Sequence, residues 1–276
     1  PEHRGLVSGV VTTSIGGATI FIAPLVQMLI HIFHVQMTFR IIGIASMVIM
    51  IAASLFIRQA PEQEGLSVPH RKVRSVDKNW KEMLKTSVFY VMLLLFTCGA
   101  FSGMMVISQA SAVAANMVGM TAVMASTAVS VLAVFNASGR ILAGLLSDRI
   151  GRISTLTIAT VLGVAGLLLL YFTGEGGYVT FYIGIAGIGL SFGSFMGVYP
   201  GFTADQFGAK NNSVNYGIMF IGLAAAGYFG PSAMRSIYRA DGAYGRAFLV
   251  AAAFGAAGFV LTFVYRFFTN KRKRGI

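Results

Sequence analysis

The chain has 276 residues, of which 56% are hydrophobic and only 11% are charged. A soluble domain of ordinary composition has about 25% charged residues, so these proportions exclude that class. The formal net charge of +12 does not by itself indicate nucleic-acid binding, because in an apolar chain the basic residues set the orientation of membrane helices. We therefore expect a polytopic protein embedded in a lipid bilayer, with no nucleic-acid partner.

Eight apolar segments follow one another along the chain, each long enough to cross a bilayer. About 20 apolar residues span the hydrocarbon core as a helix, and the alternating pattern of barrel strands is missing. The predicted fold class is therefore all-α, a polytopic membrane helical bundle with about eight transmembrane helices. The predicted spans are residues 5–33, 38–57, 86–110, 120–146, 153–173, 178–203, 213–234 and 244–267.

The N-terminal part of the chain contains two spans and then a polar segment. His31 and His34 lie near the outer end of the first span, and two histidines are too few ligands for a zinc site. We predict neither a metal site nor a cofactor. Residues 58–85 are dense in charge and interrupted by prolines, which predicts a linker between two bundles. The chain begins at Pro1 without a signal-peptide pattern, and we expect it to be part of a longer protein.

Basic residues are distributed unequally between the two sides of the predicted bundle. Of the 21 Lys and Arg residues, 16 fall at one set of span ends, 4 fall at the other, and Arg140 lies inside a span. The positive-inside rule then predicts that both chain ends and the 58–85 linker are cytoplasmic. We expect an integral protein of the plasma (inner) membrane.

Arg140 lies in the apolar part of the fourth span, roughly 12 Å along a helix from Asp148 at about 1.5 Å per residue. An arginine at the centre of a membrane helix costs about 2.5 to 3.5 kcal/mol on insertion scales. None of the eight predicted spans contains an Asp or Glu. Arg140 therefore snorkels to the headgroups, pairs with an acid outside this chain, or faces a cavity and binds an anionic ligand. The paired donors of a guanidinium fit a carboxylate.

Four glycines recur at every fourth position of the sixth span, at Gly189, Gly193, Gly197 and Gly201. This spacing removes side chains from one helix face and predicts the close approach of a neighbouring helix. Pro200 is predicted to kink or end the same span near its inner end.

A charged, glycine-rich turn follows the fourth span, with the sequence GLLSDRIGR at residues 144–152. It resembles the loop signature of the major facilitator superfamily, in which six-helix halves form a twelve-helix fold. The resemblance implies that the chain starts at the fifth helix. Residues 1–57 would then be the last two helices of the N-terminal bundle, 58–85 the cytoplasmic linker, and 86–276 the C-terminal six-helix bundle with a basic cytoplasmic tail. The missing N-terminal helices would be partners of this chain.

The same resemblance implies a conformational role for the turn. Its residues would bind the facing half of the protein in one conformation and release it in the other. The residues assigned to this latch are Gly144, Asp148, Arg149, Gly151 and Arg152. A solvated loop that only obeys the positive-inside rule is the alternative.

Three further motifs resemble the oxalate/formate antiporter branch of that superfamily and its monocarboxylate-transporter relatives. They are NASGR at 136–140, YPGFTADQFG at 199–208 and NYG at 215–217. In that branch an arginine at the position of Arg140 binds a carboxylate, and the antiporter adds a lysine where this chain has Leu223. Pocket positions of the antiporter correspond to Phe192, Met196 and Phe220, with core packing as the alternative role. Asn136 stands where proton-coupled relatives have an acid.

These features predict a secondary active or facilitative transporter of a small organic anion, preferentially a monocarboxylate. It would work by alternating access, as an antiporter or a facilitated exchanger. The alternative is a major facilitator exporter of amphipathic drugs or other small solutes. A receptor or sensor is a further alternative, and it would bind a ligand without transporting it. We expect no enzymatic activity, because no hydrolase motif is present in the sequence.

Overall fold

The computed structural model describes residues 4–56 and 77–273, and all regular secondary structure in these ranges is helical. This confirms the all-α prediction. The helices are α1 (Arg4–Ser54), α2 (Trp80–Leu84), α3 (Ser87–Ile107), α4 (Ala110–Asn116), α5 (Ala122–Ile150), α6 (Arg152–Tyr171), α7 (Tyr178–Phe207), α8 (Asn212–Asp241) and α9 (Gly245–Lys273).

Seven segments of the described chain are long and apolar enough to cross a membrane. They are Ile32–Ser54 in α1, all of α3, Val123–Ile150 in α5, all of α6, α7 and α8, and Gly245–Thr269 in α9. This agrees with seven of the eight predicted spans and with an integral membrane protein. The remaining prediction, residues 5–33, falls on a part of α1 in which many side chains lie outside the described set.

The two spans predicted at 5–33 and 38–57 both correspond to α1, which is interrupted at one residue. His34 has φ 59° and ψ 167°, which interrupts the helical geometry inside α1. The break falls between the two predicted spans. The predicted linker starts at residue 58, outside the described residues, and ends at residue 85, within them. In its described part, Asn79 caps α2. Asn79 accepts the Glu82 backbone N–H at 3.0 Å, and the Glu82 carboxylate accepts the Asn79 N–H at 2.9 Å.

The described helices extend into the predicted gap between the fourth and fifth spans, by four residues in α5 and by one residue in α6. The spans were expected to stop at 146 and resume at 153, but α5 continues to Ile150 and α6 starts at Arg152. Only Gly151 separates the two helices, and its φ of +90° favours glycine. The apolar pattern ends earlier than the helix because charged residues in water still form backbone hydrogen bonds. Asp148 and Arg149 are therefore in the last turn of α5 rather than in a loop.

Pro200 does not end the sixth predicted span. Helix α7 includes Pro200 and continues to Phe207, four residues beyond the predicted end at 203. Gly208 ends the helix with φ +98°. Of the two effects predicted for Pro200, termination of the helix is thus wrong, and a kink stays a prediction.

The contacts divide the chain into two compact units, Pro1–Gly17 with Ser75–Ile276, and Ala18–Arg74. In the larger unit, α7 packs against α5 and α6, while α3 packs against α8 and α9. Its core contains large aromatic side chains that are fully buried, including Tyr199, Phe96, Phe181 and Phe195. In the smaller unit the described side chains of α1 are mostly exposed. The predicted domain limits at 57 and 85 stay a prediction.

Three glycines of the α7 series, Gly189, Gly193 and Gly197, lie directly against the backbone of α5. A Cβ atom added at Gly189 would lie 2.9 Å from the Leu132 carbonyl oxygen, and one at Gly197 would lie 2.5 Å from that of Arg140. A Cβ at Gly193 would overlap the Asn136 carbonyl oxygen. The predicted close helix approach is confirmed, and its partner is α5.

Candidate functional site

Arg140 is buried in α5, with 6% of its surface exposed. Its Nε–H donates to the Asn136 amide oxygen at 3.3 Å, one turn earlier in the same helix. Its Nη1–H donates to the backbone carbonyl of Thr12 in α1. Both acceptors are neutral. Among the described residues, the ion pairs involve Arg152 and Arg246 and not Arg140.

The first part of α1, residues 4–17, is called the N-terminal arm here, and it contacts α5 beside Arg140. A Cβ atom at Gly9 would lie 2.5 Å from the Arg140 carbonyl oxygen. The Thr13 hydroxyl donates to the Ala137 carbonyl at 3.3 Å and to the Gly9 carbonyl at 2.7 Å. The arm therefore supplies a backbone acceptor to the guanidinium. Sequence reasoning missed this contribution, since a backbone carbonyl has no signature in the sequence.

Tyr216 of α8 lies close enough to Arg140 for an electrostatic interaction between the two side chains. Its ring packs edge-on against Phe220, with centroids 4.8 Å apart. Phe220 also packs edge-on against Phe96 of α3, which stacks on Tyr199 with centroids 4.2 Å apart. Phe220 keeps 40% of its surface exposed. Tyr216 belongs to the NYG motif but was not among the predicted site residues.

The other predicted pocket residues lie in different environments. Phe192 and Met196 in α7 are 5% and 6% exposed, and the Phe192 side chain fills the space beside Gly103 of α3. Leu223 in α8 is partly buried and packs against the hydrophobic core. The structure brings Asn136 to Arg140 directly. The assignment of Phe192, Met196, Phe220 and Leu223 to a substrate pocket stays a prediction.

Arg152 joins three helices at the end of the bundle where α5 and α7 finish and α6 begins. It forms ion pairs of 3.0 Å with Asp148 of α5 and with Asp205 of α7, and it also bonds to the Ser147 hydroxyl. Asp205 lies within the YPGFTADQFG motif, but sequence reasoning gave it no role. Arg149 is exposed, and Gly144 is buried in α5. In the conformation described, two of the predicted latch residues thus bind each other and α7.

Seven of the described helical segments are apolar and long enough to cross a membrane. One of them, α5, contains a buried arginine that forms no ion pair with the described residues, and it ends in charged residues. These features define a polytopic membrane protein with an internal cation. The family model described as Major Facilitator Superfamily matches residues 1–231 and 97–276. Together these matches cover the whole chain, which therefore belongs to this superfamily. Their overlap suits a family built from repeated bundles.

Two curated relatives are similar over most of this chain. One is the uncharacterized MFS-type transporter YhjX of Escherichia coli (strain K12), 29% identical over 223 residues, which are 81% of this chain and 55% of the relative. Another is the oxalate:formate antiporter of Oxalobacter formigenes, 28% identical over 268 residues, which are 95% of this chain and 63% of that protein. The chain thus spans a little over half the length of the curated relatives it matches.

Solved structures with a similar fold include two of the fucose:proton symporter FucP. A single-substitution variant of the E. coli protein superposes with a TM-score of 0.59 at 19% identity, over 83% of this chain and 55% of that chain. The structure in the outward conformation gives 0.59 at 20% identity, over 84% and 55%. At this identity the likeness shows the fold alone.

Proposed function

We propose that this protein is a secondary transporter that carries a small organic anion by alternating access, with a monocarboxylate as its substrate. Transport proceeds by antiport or facilitated exchange, without enzymatic chemistry. The observation that carries the proposal is Arg140, a buried cation whose described hydrogen-bond acceptors are both neutral.

A buried guanidinium is stabilised best by a carboxylate, whose two oxygens match its paired N–H donors. The Asn136 amide and the Thr12 carbonyl accept hydrogen bonds but leave the positive charge uncompensated. A substrate anion would supply the missing charge. The loaded site then closes more readily than the empty one, because the empty site must desolvate an unpaired cation. This difference favours exchange over uncoupled movement.

The preference for a monocarboxylate depends on the number of cations in the proposed substrate site. The similar oxalate:formate antiporter is named for two substrates, a dianion and a monoanion. Where the resemblance places a second cation, this chain has Leu223. One guanidinium balances one negative charge, so a dianion would keep a full charge in an apolar site. The aromatic surroundings of Tyr216 and Phe220 suit an acid with a short apolar body.

Orientation and location are part of the same proposal. With 16 of 21 basic residues on one side, both ends of this chain face the cytoplasm and the protein lies in the plasma (inner) membrane. The expectation that further helices outside this chain complete the cavity stays a prediction.

Counterflow of labelled substrate tests the proposal. The complete protein is reconstituted in liposomes preloaded with a panel of short mono- and dicarboxylates, and labelled uptake is measured. We expect monocarboxylates to support counterflow, and Arg140→Leu to abolish it. The matched control is Arg235→Gln, which removes an exposed cation from α8 and is expected to leave exchange intact.

Two outcomes would contradict the proposal. One is carboxylate exchange by Arg140→Leu at the wild-type rate. The other is the absence of any carboxylate counterflow by the wild type, together with transport of amphipathic cations, which would instead support the drug exporter.

A further inference from the structure

The guanidinium of Arg140 presents its donors along two edges that a carboxylate can use. One edge contains Nε and Nη2, and the other contains Nη1 and Nη2. Nε has a single hydrogen, which donates to the Asn136 amide oxygen, and Nη1 donates one of its two hydrogens to the Thr12 carbonyl. The described residues give Nη2 no hydrogen-bond partner. A carboxylate that binds with both oxygens along the Nε and Nη2 edge must therefore displace the Asn136 amide.

The two acceptors differ in how easily they give way. The Asn136 amide is a side chain at 3.3 Å, beyond the usual 2.7 to 3.2 Å range of such hydrogen bonds, and it can rotate away from Nε. The Thr12 carbonyl belongs to the backbone of a helix, so it moves only if the N-terminal arm moves. The edge that is freed at the lower cost therefore contains Nε and Nη2.

The position of the arm depends on two small side-chain features. Gly9 allows its backbone to lie against the Arg140 carbonyl, since a Cβ atom there would come within 2.5 Å of that oxygen. The Thr13 hydroxyl donates to the Gly9 carbonyl of the arm at 2.7 Å, and it lies 3.3 Å from the Ala137 carbonyl oxygen of α5. Both contacts lie within one turn of Thr12, and they fix the place of its carbonyl relative to the guanidinium.

We propose that Gly9 and Thr13 are positioning residues of the carboxylate site. They dock the N-terminal arm on α5 so that the Thr12 carbonyl holds Nη1. This orients the guanidinium and leaves the Nε and Nη2 edge for the substrate carboxylate, which replaces the Asn136 amide. The inference rests on the proposed function, because it assigns the arm a role in the same anion site.

Binding measurements with a double-mutant cycle test this role. In the complete protein, Gly9→Ala and Thr13→Val are each combined with Arg140→Lys, and the Kd of acetate, used as the monocarboxylate probe, is measured by calorimetry alongside exchange kinetics. A lysine has no planar fork to orient. We expect each arm variant to raise the Kd and KM about fivefold to tenfold, the size of one lost hydrogen bond, with the maximal rate within about twofold. In the Arg140→Lys background we expect less than about a twofold further change.

The controls separate positioning from folding. Thr13→Ser keeps the hydroxyl and is expected to restore the wild-type Kd. Gly43→Ala adds a methyl group elsewhere in α1, where nothing lies within 4 Å, and is expected to change nothing. Elution volume and thermal unfolding identify misfolded variants. If Gly9→Ala does not fold, the Kd of Thr13→Val is compared with that of Thr13→Ser, and this difference tests the inference.

Three results would overturn the inference: an unchanged Kd in folded arm variants, equal losses in the arginine and lysine backgrounds, or a Thr13→Ser variant as weak as Thr13→Val. A failure of the proposed function looks different. In that case Arg140→Leu retains carboxylate exchange, whatever the arm variants do.

Discussion

At the scale of single residues, the contrast between Arg140 and Leu223 sets the expected charge selectivity. The α5 arginine is buried with neutral acceptors, and the α8 leucine is partly buried against the core. We expect Leu223→Lys to widen selectivity toward dicarboxylates, because a second cation compensates the second negative charge. The ratio of oxalate to monocarboxylate inhibition in counterflow measures this.

Leu223→Met is the matched control for that substitution, since it keeps the size and neutrality of the side chain. It is expected to retain the wild-type ratio. An unchanged ratio in Leu223→Lys would mean that position 223 does not face the substrate.

At the scale of helices, the contact of α7 with α5 depends on the absence of side chains. We expect Gly193→Ala to destabilise the protein by about 1 to 3 kcal/mol, the usual cost of overpacking, because the new methyl group overlaps the Asn136 carbonyl. Thermal unfolding in detergent measures the change. Gly227→Ala in α8, where nothing lies within 4 Å, is expected to be neutral or mildly stabilising. Equal behaviour of the two variants would refute the close contact.

The ion pairs of Arg152 hold the C-terminal ends of α5 and α7 to the N-terminal end of α6. Asp205 is 49% exposed, so its pair is screened and contributes about 0.5 kcal/mol. Arg152 is only 12% exposed and also binds Asp148, which is 15% exposed. We expect Arg152→Ala to cost about 1 to 3 kcal/mol and Asp205→Asn to cost clearly less. Denaturation of both variants in detergent compares them, and the reverse order would contradict the described network.

Sequence reasoning located most helices because a membrane span is a long, continuous run of apolar residues. It misplaced the end of α5, since Asp148 and Arg149 are too polar for hydrocarbon but remain helical in water. It singled out Arg140 because a charge stands out inside an apolar span, and it named Asn136 through the resemblance of the NASGR motif at 136–140 to the antiporter branch. It missed Thr12 and Gly9, whose roles depend on which helix lies beside α5, and spacing along one chain does not contain that information.

At the scale of the whole molecule, the distribution of basic residues predicts which turns face each side of the membrane. We expect Lys210→Cys, between α7 and α8, to react with an impermeant thiol reagent only from the cytoplasm. Glu175→Cys, between α6 and α7, is expected to react only from outside. Both are introduced in a Cys98→Ser background, because Cys98 is the single cysteine of this chain. Labelling of intact cells and inverted vesicles gives the result, and the opposite pattern would reverse the topology.

The peptide group of Arg140 is contacted from two sides, by Gly9 of α1 and Gly197 of α7, each of which would bring a Cβ atom to 2.5 Å from the same carbonyl oxygen. In the conformation described, the main chain that bears the cation therefore lies in direct contact with both of these helices. Relocating the charge to a neighbour, for example at Gly139 beside the Leu190 carbonyl, would not recreate the geometry. Efforts to redesign which solutes the protein accepts should therefore leave α5 untouched and vary the walls opposite it.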